Sequence, residues 1–408
     1  MKSSRFVFLC ERWSTNKQLL PIPDHGQQRQ QLRRLLENVH ICMARGMRER
    51  GVRPPLQLGC WEGRHGHARE SDMKQFFTTQ LGAEEAERRR ERKQNTKGSP
   101  LKLPSKVIHA SMTDAVVYCG CSNSSVCTVA LASKEVKRLT AHQGPVACVA
   151  STASFLATGS WDKSVKAWDF AHDAPLDLHG HSDFVKCLAC FRWRGRTLIV
   201  SGSSDTTLMI WDATQETPLQ TLRGHIRPVN ALCAIVADDA VTLWSGASDR
   251  ELRQWTFDGQ TASQVGHALL VHETSINSIR VTDEDMWTTS NDRYARRTNL
   301  TTLVCDTGLL HPDFVKDAIV HGAWVITACS DHAIRVWDVA AETILHVFDG
   351  HYDEVTSLHV YQDTLVSTSL DATLRQWPLR AEAWKEVESQ PIVLTTQEEE
   401  DELAELMD

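Results

Sequence analysis

Residues 158–169 read TGSWDKSVKAWD, and 43 residues further on the chain reads SGSSDTTLMIWD at 201–212. The same frame returns as SGASDRELRQWT (245–256), TTSNDRYARRTN (288–299), TACSDHAIRVWD (327–338) and STSLDATLRQWP (367–378), preceded by a degenerate copy, CGCSNSSVCTVA, at 119–130. One column holds Asp162, Asp205, Asp249, Asp292, Asp331 and Asp371, with Asn123 in the first copy, at successive spacings of 39, 43, 44, 43, 39 and 40 residues.

A period of roughly 40–45 residues is the length of one four-stranded propeller blade, and seven copies predict seven blades. Other columns keep the same frame. A hydroxyl residue stands four places before each aspartate: Thr158, Ser201, Ser245, Thr288, Thr327 and Ser367. Tryptophan stands six places after it, as Trp168, Trp211, Trp255, Trp337 and Trp377, with Thr298 in the fifth copy. A histidine precedes it by 20 or 24 residues: His142, His181, His225, His272, His311 and His351. The first copy has Leu103, Cys119, Asn123 and Val129 in these columns, so apolar packing or its neighbours must hold it.

The sequence resembles the WD-repeat β-propeller family over roughly residues 101–380. GHSDFV, GHIRPV and GHYDEV supply the family's Gly-His element, and WDF, WDA and WDV its Trp-Asp element. The resemblance implies an all-β, seven-bladed propeller. It also implies a buried relay in each blade, in which histidine bonds the turn aspartate and the strand hydroxyl, and the hydroxyl meets the indole N–H. Left unpaired, each such group would cost about 1–3 kcal/mol. A His-Ser-Asp set invites a hydrolase reading, but a set repeated in every blade is a structural device, and the nucleophile-elbow pattern G-x-S-x-G is absent. No catalytic residue, cofactor or metal is expected.

Family propellers close by pairing strands from the two chain ends. RFVFL near the N-terminus and QPIVLT near Pro391 are the candidates, and NTKGSPLKLPSK (95–106) reads as a linker because Gly98, Pro100 and Pro104 break helices.

Partner-binding candidates come from the loop and strand start after each histidine. His181 and His311 open the related stretches HSDFVK and HPDFVK. The fourth residue after histidine is apolar and core-like; the fifth varies as Ala147, Lys186, Asn230, Asn277, Lys316 and Thr356. In phosphopeptide-reading members of the family, basic residues in this column line the central pocket. The resemblance therefore nominates Lys186 and Lys316, with Asp183, Phe184, Asp313, Phe314, Arg227, Asn230 and Asn277 nearby. Three blade steps in a seven-fold ring place the two copies about 154° apart, so two Phe-x-Lys pairs would flank one partner. Trp377 and Arg380 have the W-x-x-R spacing by which ubiquitin-ligase receptor propellers dock, with Pro378 in place of the usual acidic residue.

Charge divides the chain. Residues 1–100 carry 20 Lys+Arg against 11 Asp+Glu, and the rest carry 24 against 41. The domains expected are a basic extension, partly helical or disordered (1–100), the propeller (101–380), and a C-terminal segment with an acidic tail (381–408). Leu32, Leu35, Leu36, Val39 and Met43 form a helical apolar stripe in the extension. Its basic character admits a nucleic-acid partner, which the scarcity of aromatics (Trp13, Trp61, Phe76, Phe77) does not favour. The His65–His67 pair is too little for a metal site. The tail holds seven acids from Glu398 onward, interleaved with Leu403, Leu406 and Met407.

Twelve cysteines in 408 residues, several within apolar runs, read as reduced core thiols of an intracellular protein, cytoplasmic or nuclear. Cys187 and Cys190 have C-x-x-C spacing but lack the second pair a closed zinc site needs. No apolar run approaches the roughly 18–20 residues that cross a bilayer. The function this implies is a non-catalytic scaffold or adaptor that binds proteins or peptides on the propeller's top face. A ubiquitin-ligase receptor and an RNA-linked component are the alternatives.

Overall fold

The computed structural model describes residues 96–380 apart from Asp173. The helical and basic segments of the extension, the acidic tail and both candidate closing segments lie outside the described residues. The described chain folds as seven four-stranded antiparallel sheets, with no helix among the described residues. The fold is an all-β, seven-bladed propeller. Blades 1 to 6 occupy 107–140, 146–178, 185–223, 229–270, 276–310 and 315–349. Blade 7 supplies three strands from 355–378 and takes its fourth from Leu101–Lys102.

Stacking of the blades explains the sequence pattern. A middle strand is covered by a neighbouring blade on both faces, so it reads as a near-continuous buried run. Phe155–Ser160 and Thr207–Asp212 are buried at every position, whereas the outer strand Val136–Thr140 is mostly exposed. The core therefore lies between blades. Leu198, Val200, Leu208 and Ile210 of blade 3, for example, pack with Val229, Leu243, Trp255 and Phe257 of blade 4. Removing this apolar surface from water is the main driving force for ring formation.

Closure comes from the stretch that reads as a linker. Leu101 and Lys102 pair with Leu374 and Thr373. On either side, Leu103 N–H donates to Ala372 O and Gln376 N–H donates to Gly98 O, both at 2.8 Å, and Arg375 bonds the Lys97 carbonyl. Pro100 and Pro104 bracket a strand of two residues at a sheet edge, where proline is tolerated because the outer side needs no N–H donor. Gly98 has φ 69°, and a Cβ there would meet the Trp377 ring at 2.6 Å.

All seven inner strands carry the same irregularity. The pairing of each inner strand with the second strand slips by one residue directly after its first residue: Val107, Val146, Val185, Val229, Ile276, Val315 and Val355. The bulged residues are Ile108, Ala147, Lys186, Asn230, Asn277, Lys316 and Thr356, the varying column of the sequence. A bulge disrupts the ladder and re-aims a side chain. Several carbonyls beside it are then met by the preceding blade: Asn230 Nδ2 donates to Ile276 O (3.2 Å), Asn277 Nδ2 to Val315 O (2.7 Å) and Thr356 Oγ1 to Val107 O (3.2 Å). Cys148 and Cys187 thiols make the weaker equivalents to Val185 O and Val229 O.

Blades approach closely because glycine stands three residues before the turn aspartate in blades 2 to 4. A Cβ on Gly202 would lie 2.5 Å from Cys187 Sγ and 2.9 Å from Val229 Cγ1 of the next blade. Gly202→Val should therefore cost about 1–3 kcal/mol in urea unfolding through overpacking. Gly308→Ala, where the nearest atom is 3.5 Å away, should be close to neutral; equal losses would contradict this packing.

Candidate functional site

The turn aspartate does two jobs at once. Its Oδ1 accepts the N–H two residues on, closing the turn between second and third strands: from Ser164, Thr207, Glu251, Tyr294, Ala333 and Thr373 in blades 2 to 7. The residue between donor and acceptor is left-handed in every blade, with φ between 60° and 75° at Ser124, Lys163, Thr206, Arg250, Arg293, His332 and Ala372. An Asx-turn stabilises that otherwise disfavoured conformation. Oδ2 faces the histidine.

In blades 2, 3, 4 and 7 the four columns converge. His142 meets Asp162 at 2.9 Å and Thr158 at 2.8 Å, and Trp168 donates to Thr158 at 3.2 Å. His181 meets Asp205 at 2.8 Å and Ser201 at 2.7 Å, and Trp211 donates to Ser201 at 2.8 Å. His225 with Asp249, Ser245 and Trp255, and His351 with Asp371, Ser367 and Trp377, repeat this at 2.8–2.9 Å. All bonds are made when indole N–H donates to the hydroxyl, hydroxyl donates to Nε2, and Nδ1–H donates to the carboxylate. In blade 5 His272 bonds Asp292 and Thr288, both at 2.9 Å, and Arg296 joins Asp292 at 2.6 Å.

Blade 6 departs from the expected relay. His311 still meets Thr327 at 2.7 Å and Trp337 donates to Thr327 at 2.9 Å, but His311 Nδ1 donates to the Leu309 carbonyl at 3.0 Å, and Asp331 pairs with Arg335. Pro312 accounts for this. In the five other blades with a histidine, Oδ2 also accepts the N–H of the residue after it: Gln143, Ser182, Ile226, Glu273 or Tyr352. Proline has no N–H, so the carboxylate of Asp331 loses that anchor and turns to the guanidinium. The signal stood in the sequence, in HPDFVK against HSDFVK.

Turns and bulges share one end of the blades, and between them lies a cavity of about 510 Å³. Ile108, Ala147, Lys186, Asn230 and Asn277, the bulged residues of blades 1 to 5, line it with Trp161 and Asn291. Lys186 Nζ donates to Asn230 Oδ1 at 3.1 Å. The amide N–H groups of Asn230 and Asn277 are spent on Ser248, Ser275, Asn291 and the neighbouring blade's carbonyl. Lys316 does not line this cavity; it pairs with Glu354 at 3.1 Å. The two Phe-x-Lys copies are thus not equivalent.

Asp183 and Asp313 each accept the N–H of the following phenylalanine, at 2.8 and 2.7 Å, which is a loop-shaping task. Phe184 and Phe314 remain 40% and 43% exposed. Phe184 stacks on Trp161 of the preceding blade with ring centroids 5.5 Å apart, and Trp161 is itself 45% exposed. Sequence reasoning missed Trp161. Directly before the turn aspartate the other blades put Ser204, Ser248, Asn291, Ser330 and Leu370, so a tryptophan there was a legible exception. Arg227 is an exposed loop residue of blade 4, and Arg380 is exposed beyond Leu379, whose N–H donates to Asp363 O at the opposite end of blade 7.

His225, Asp249 and Glu251 gather their ligand atoms within 4.8 Å. The first two are hydrogen-bonded within the relay and Glu251 pairs with Arg253 at 2.5 Å, so each already has a partner within the protein.

The WD domain, G-beta repeat, family model matches residues 133–169, 175–212, 311–338 and 342–378. The matches 133–169, 175–212 and 342–378 each start just before one blade's outer strand and end with the third strand of the next blade, the same offset by which Leu101–Lys102 completes blade 7. The match 311–338 starts directly after the outer strand of blade 5 and ends with the third strand of blade 6. An uncharacterised WD repeat-containing protein of Schizosaccharomyces pombe is 28% identical over 76% of this chain and 89% of its own length. Mitochondrial division protein 1 of the same yeast is 30% identical over 57% of this chain, and a p21-activated protein kinase-interacting protein 1-like of Danio rerio is 23% identical over 60%. The matches span 35% and 66% of those two proteins. Among solved structures, the computationally designed Ika8 protein covers 68% of this chain with 98% of its own, at TM-score 0.53 and 20% identity, a likeness of fold. No helix among the described residues is long and apolar enough to cross a membrane.

Below the cavity, a polar cluster lines the inner strands of blades 5, 6, 7 and 1. Asp317 accepts from Ser278 (2.7 Å), Arg280 (2.9 Å) and the Leu358 N–H (3.0 Å), and His359 donates to Ala110 O at 3.1 Å. Burial, and then Arg280, lower His109 to about 4 and His359 to about 3; burial and then Arg335 lower His311 to about 4. Groups depressed on folding stabilise fully above their unfolded value near 6.5, and that contribution is lost as pH falls through the folded value. The thermal midpoint should therefore decline from about pH 6.5 toward pH 4, ahead of carboxylate protonation. A midpoint unchanged across that window would contradict the burial of these rings.

Proposed function

Since this chain belongs to the WD-repeat β-propeller family, we propose that it is a non-catalytic scaffold whose protein or peptide partners seat at the cavity between the bulged inner strands and the Asx-turns. The carrying observation is the Trp161–Phe184 stack, two large aromatic side chains left in solvent beside a concave mouth that holds Lys186. Exposed aromatics of this kind are typical anchors of interfaces, whose binding energy concentrates on a few such residues. The histidine sets offer no competing catalytic reading, because each hydroxyl and each imidazole already has its partner inside a blade. Ile226 at 77% exposure and Phe314 extend the apolar points around the same rim.

The ligase-receptor reading draws less support. Trp377 is buried with its indole N–H on Ser367, which leaves Arg380 as the exposed member of the W-x-x-R pair. An RNA-linked role would rest on the basic extension, outside the described residues.

Proximity labelling with the full chain tests the proposal. Trp161→Ala combined with Lys186→Glu should remove most labelled partners while leaving the thermal midpoint unchanged, and Arg380→Glu should leave the partner set intact. Retention of all partners by the first variant, or their loss only with Arg380→Glu, would contradict the assignment.

A further inference from the structure

The charges around this rim are unevenly satisfied. Lys163, Arg227, Arg250 and Arg293, all on the loops and turns of blades 2 to 5, are exposed and have no ion-pair partner among the described residues. On the other side of the ring Lys316 is paired with Glu354 at 3.1 Å and Lys106 with Asp353 at 3.3 Å. The turn aspartates of blades 2 to 5 do not cancel these four cations at the surface. Their side chains are 16%, 8%, 2% and 5% exposed, and each is held by backbone N–H groups. Solvent over blades 2 to 5 thus meets four free cations and Lys186, against Asp183 and Glu273.

Resting on the scaffold reading above, we propose that the occupant is an acidic peptide segment of a partner protein carrying an apolar side chain. It lies over blades 1 to 5 alone, with a carboxylate at Lys186 and the apolar group against the Trp161–Phe184 stack. The charge complement and the apolar anchor are adjacent, since Trp161 and Lys186 line the same cavity and Phe184 lies two residues before Lys186. Such a segment gains long-range steering from the unpaired cations. Its specificity comes from the desolvated contact on the indole. Blades 6 and 7 offer it less, because Lys316 is already paired with Glu354 and Asp313 stands in the same loop. Lys316 is accordingly a ring contact rather than a second binding lysine.

The test is fluorescence anisotropy of the full chain with three labelled twelve-residue peptides: glutamates around a central Leu-Phe pair, the same with lysines for glutamates, and glutamates alone. The acidic apolar peptide should saturate, weaken with salt, and bind at least tenfold worse to both Trp161→Ala and Lys186→Glu, with Lys316→Ala unchanged. The other two should bind at least tenfold worse. If the lysine peptide binds as well and is also lost with Trp161→Ala, the site stands and its acidic specificity is overturned. If the acidic peptide binds but ignores Trp161→Ala and Lys186→Glu, the placement falls with the scaffold site itself. Absence of saturation with all three overturns the proposal, and Trp161→Phe, which keeps an aromatic face, guards against a folding artefact by restoring binding.

Discussion

A carboxylate that must satisfy two separate pieces of backbone governs this molecule. Oδ1 of the repeat aspartate closes a turn through a left-handed residue, and Oδ2 holds both the blade's histidine and the N–H just after it. That one group thereby fixes the loop leading into the inner strand against the turn leaving the second strand. Where the second N–H is missing, at Pro312, the blade keeps its turn and loses the imidazole contact. The burial of the carboxylate would raise its pKa, yet hydrogen bonds from Ser164 and Gln143 and the proximity of His142 hold Asp162 at about 2.

The ring depends on a second constraint, the bulge at the start of every inner strand. It frees carbonyls from the ladder, and these cannot remain unpaired in a buried junction without cost. Asn230, Asn277 and Thr356 answer that need with side-chain donors to the next blade, and Cys148 and Cys187 answer it weakly. The same geometry makes the channel mouth variable, because the bulge re-aims this side chain out of the ladder and the position takes apolar and polar residues alike, from Ile108 and Ala147 to Asn230 and Lys316. Lys186 is free to be a lysine for this reason.

Blade count and the relay columns could be read from the sequence, since a buried polar group repeated at a fixed period leaves a fixed column. The closing strand was not legible: two residues between prolines carry no periodic signal, and their pairing with Leu374 and Thr373 is decided by ring geometry. Asn230 and Asn277 belong to the variable column and looked like surface residues; only the bulge shows that their amides point sideways into the neighbouring blade. Lys316 matched Lys186 in local sequence, but Glu354, 38 residues on, distinguishes them. Trp161 was readable as an exception within its column, whereas its stacking on Phe184 of the next blade was not. The structure separates residues that hold the ring from the few that face outward without a partner.

The most direct measurement is a pair of double-mutant cycles in urea unfolding, His225→Ala with Asp249→Ala and His311→Ala with Asp331→Ala. A carboxylate anchored by the N–H after the histidine should give a coupling of about 1–3 kcal/mol in blade 4, and a coupling near zero in blade 6. Equal coupling in both blades would contradict the account of how the aspartate organises the fold.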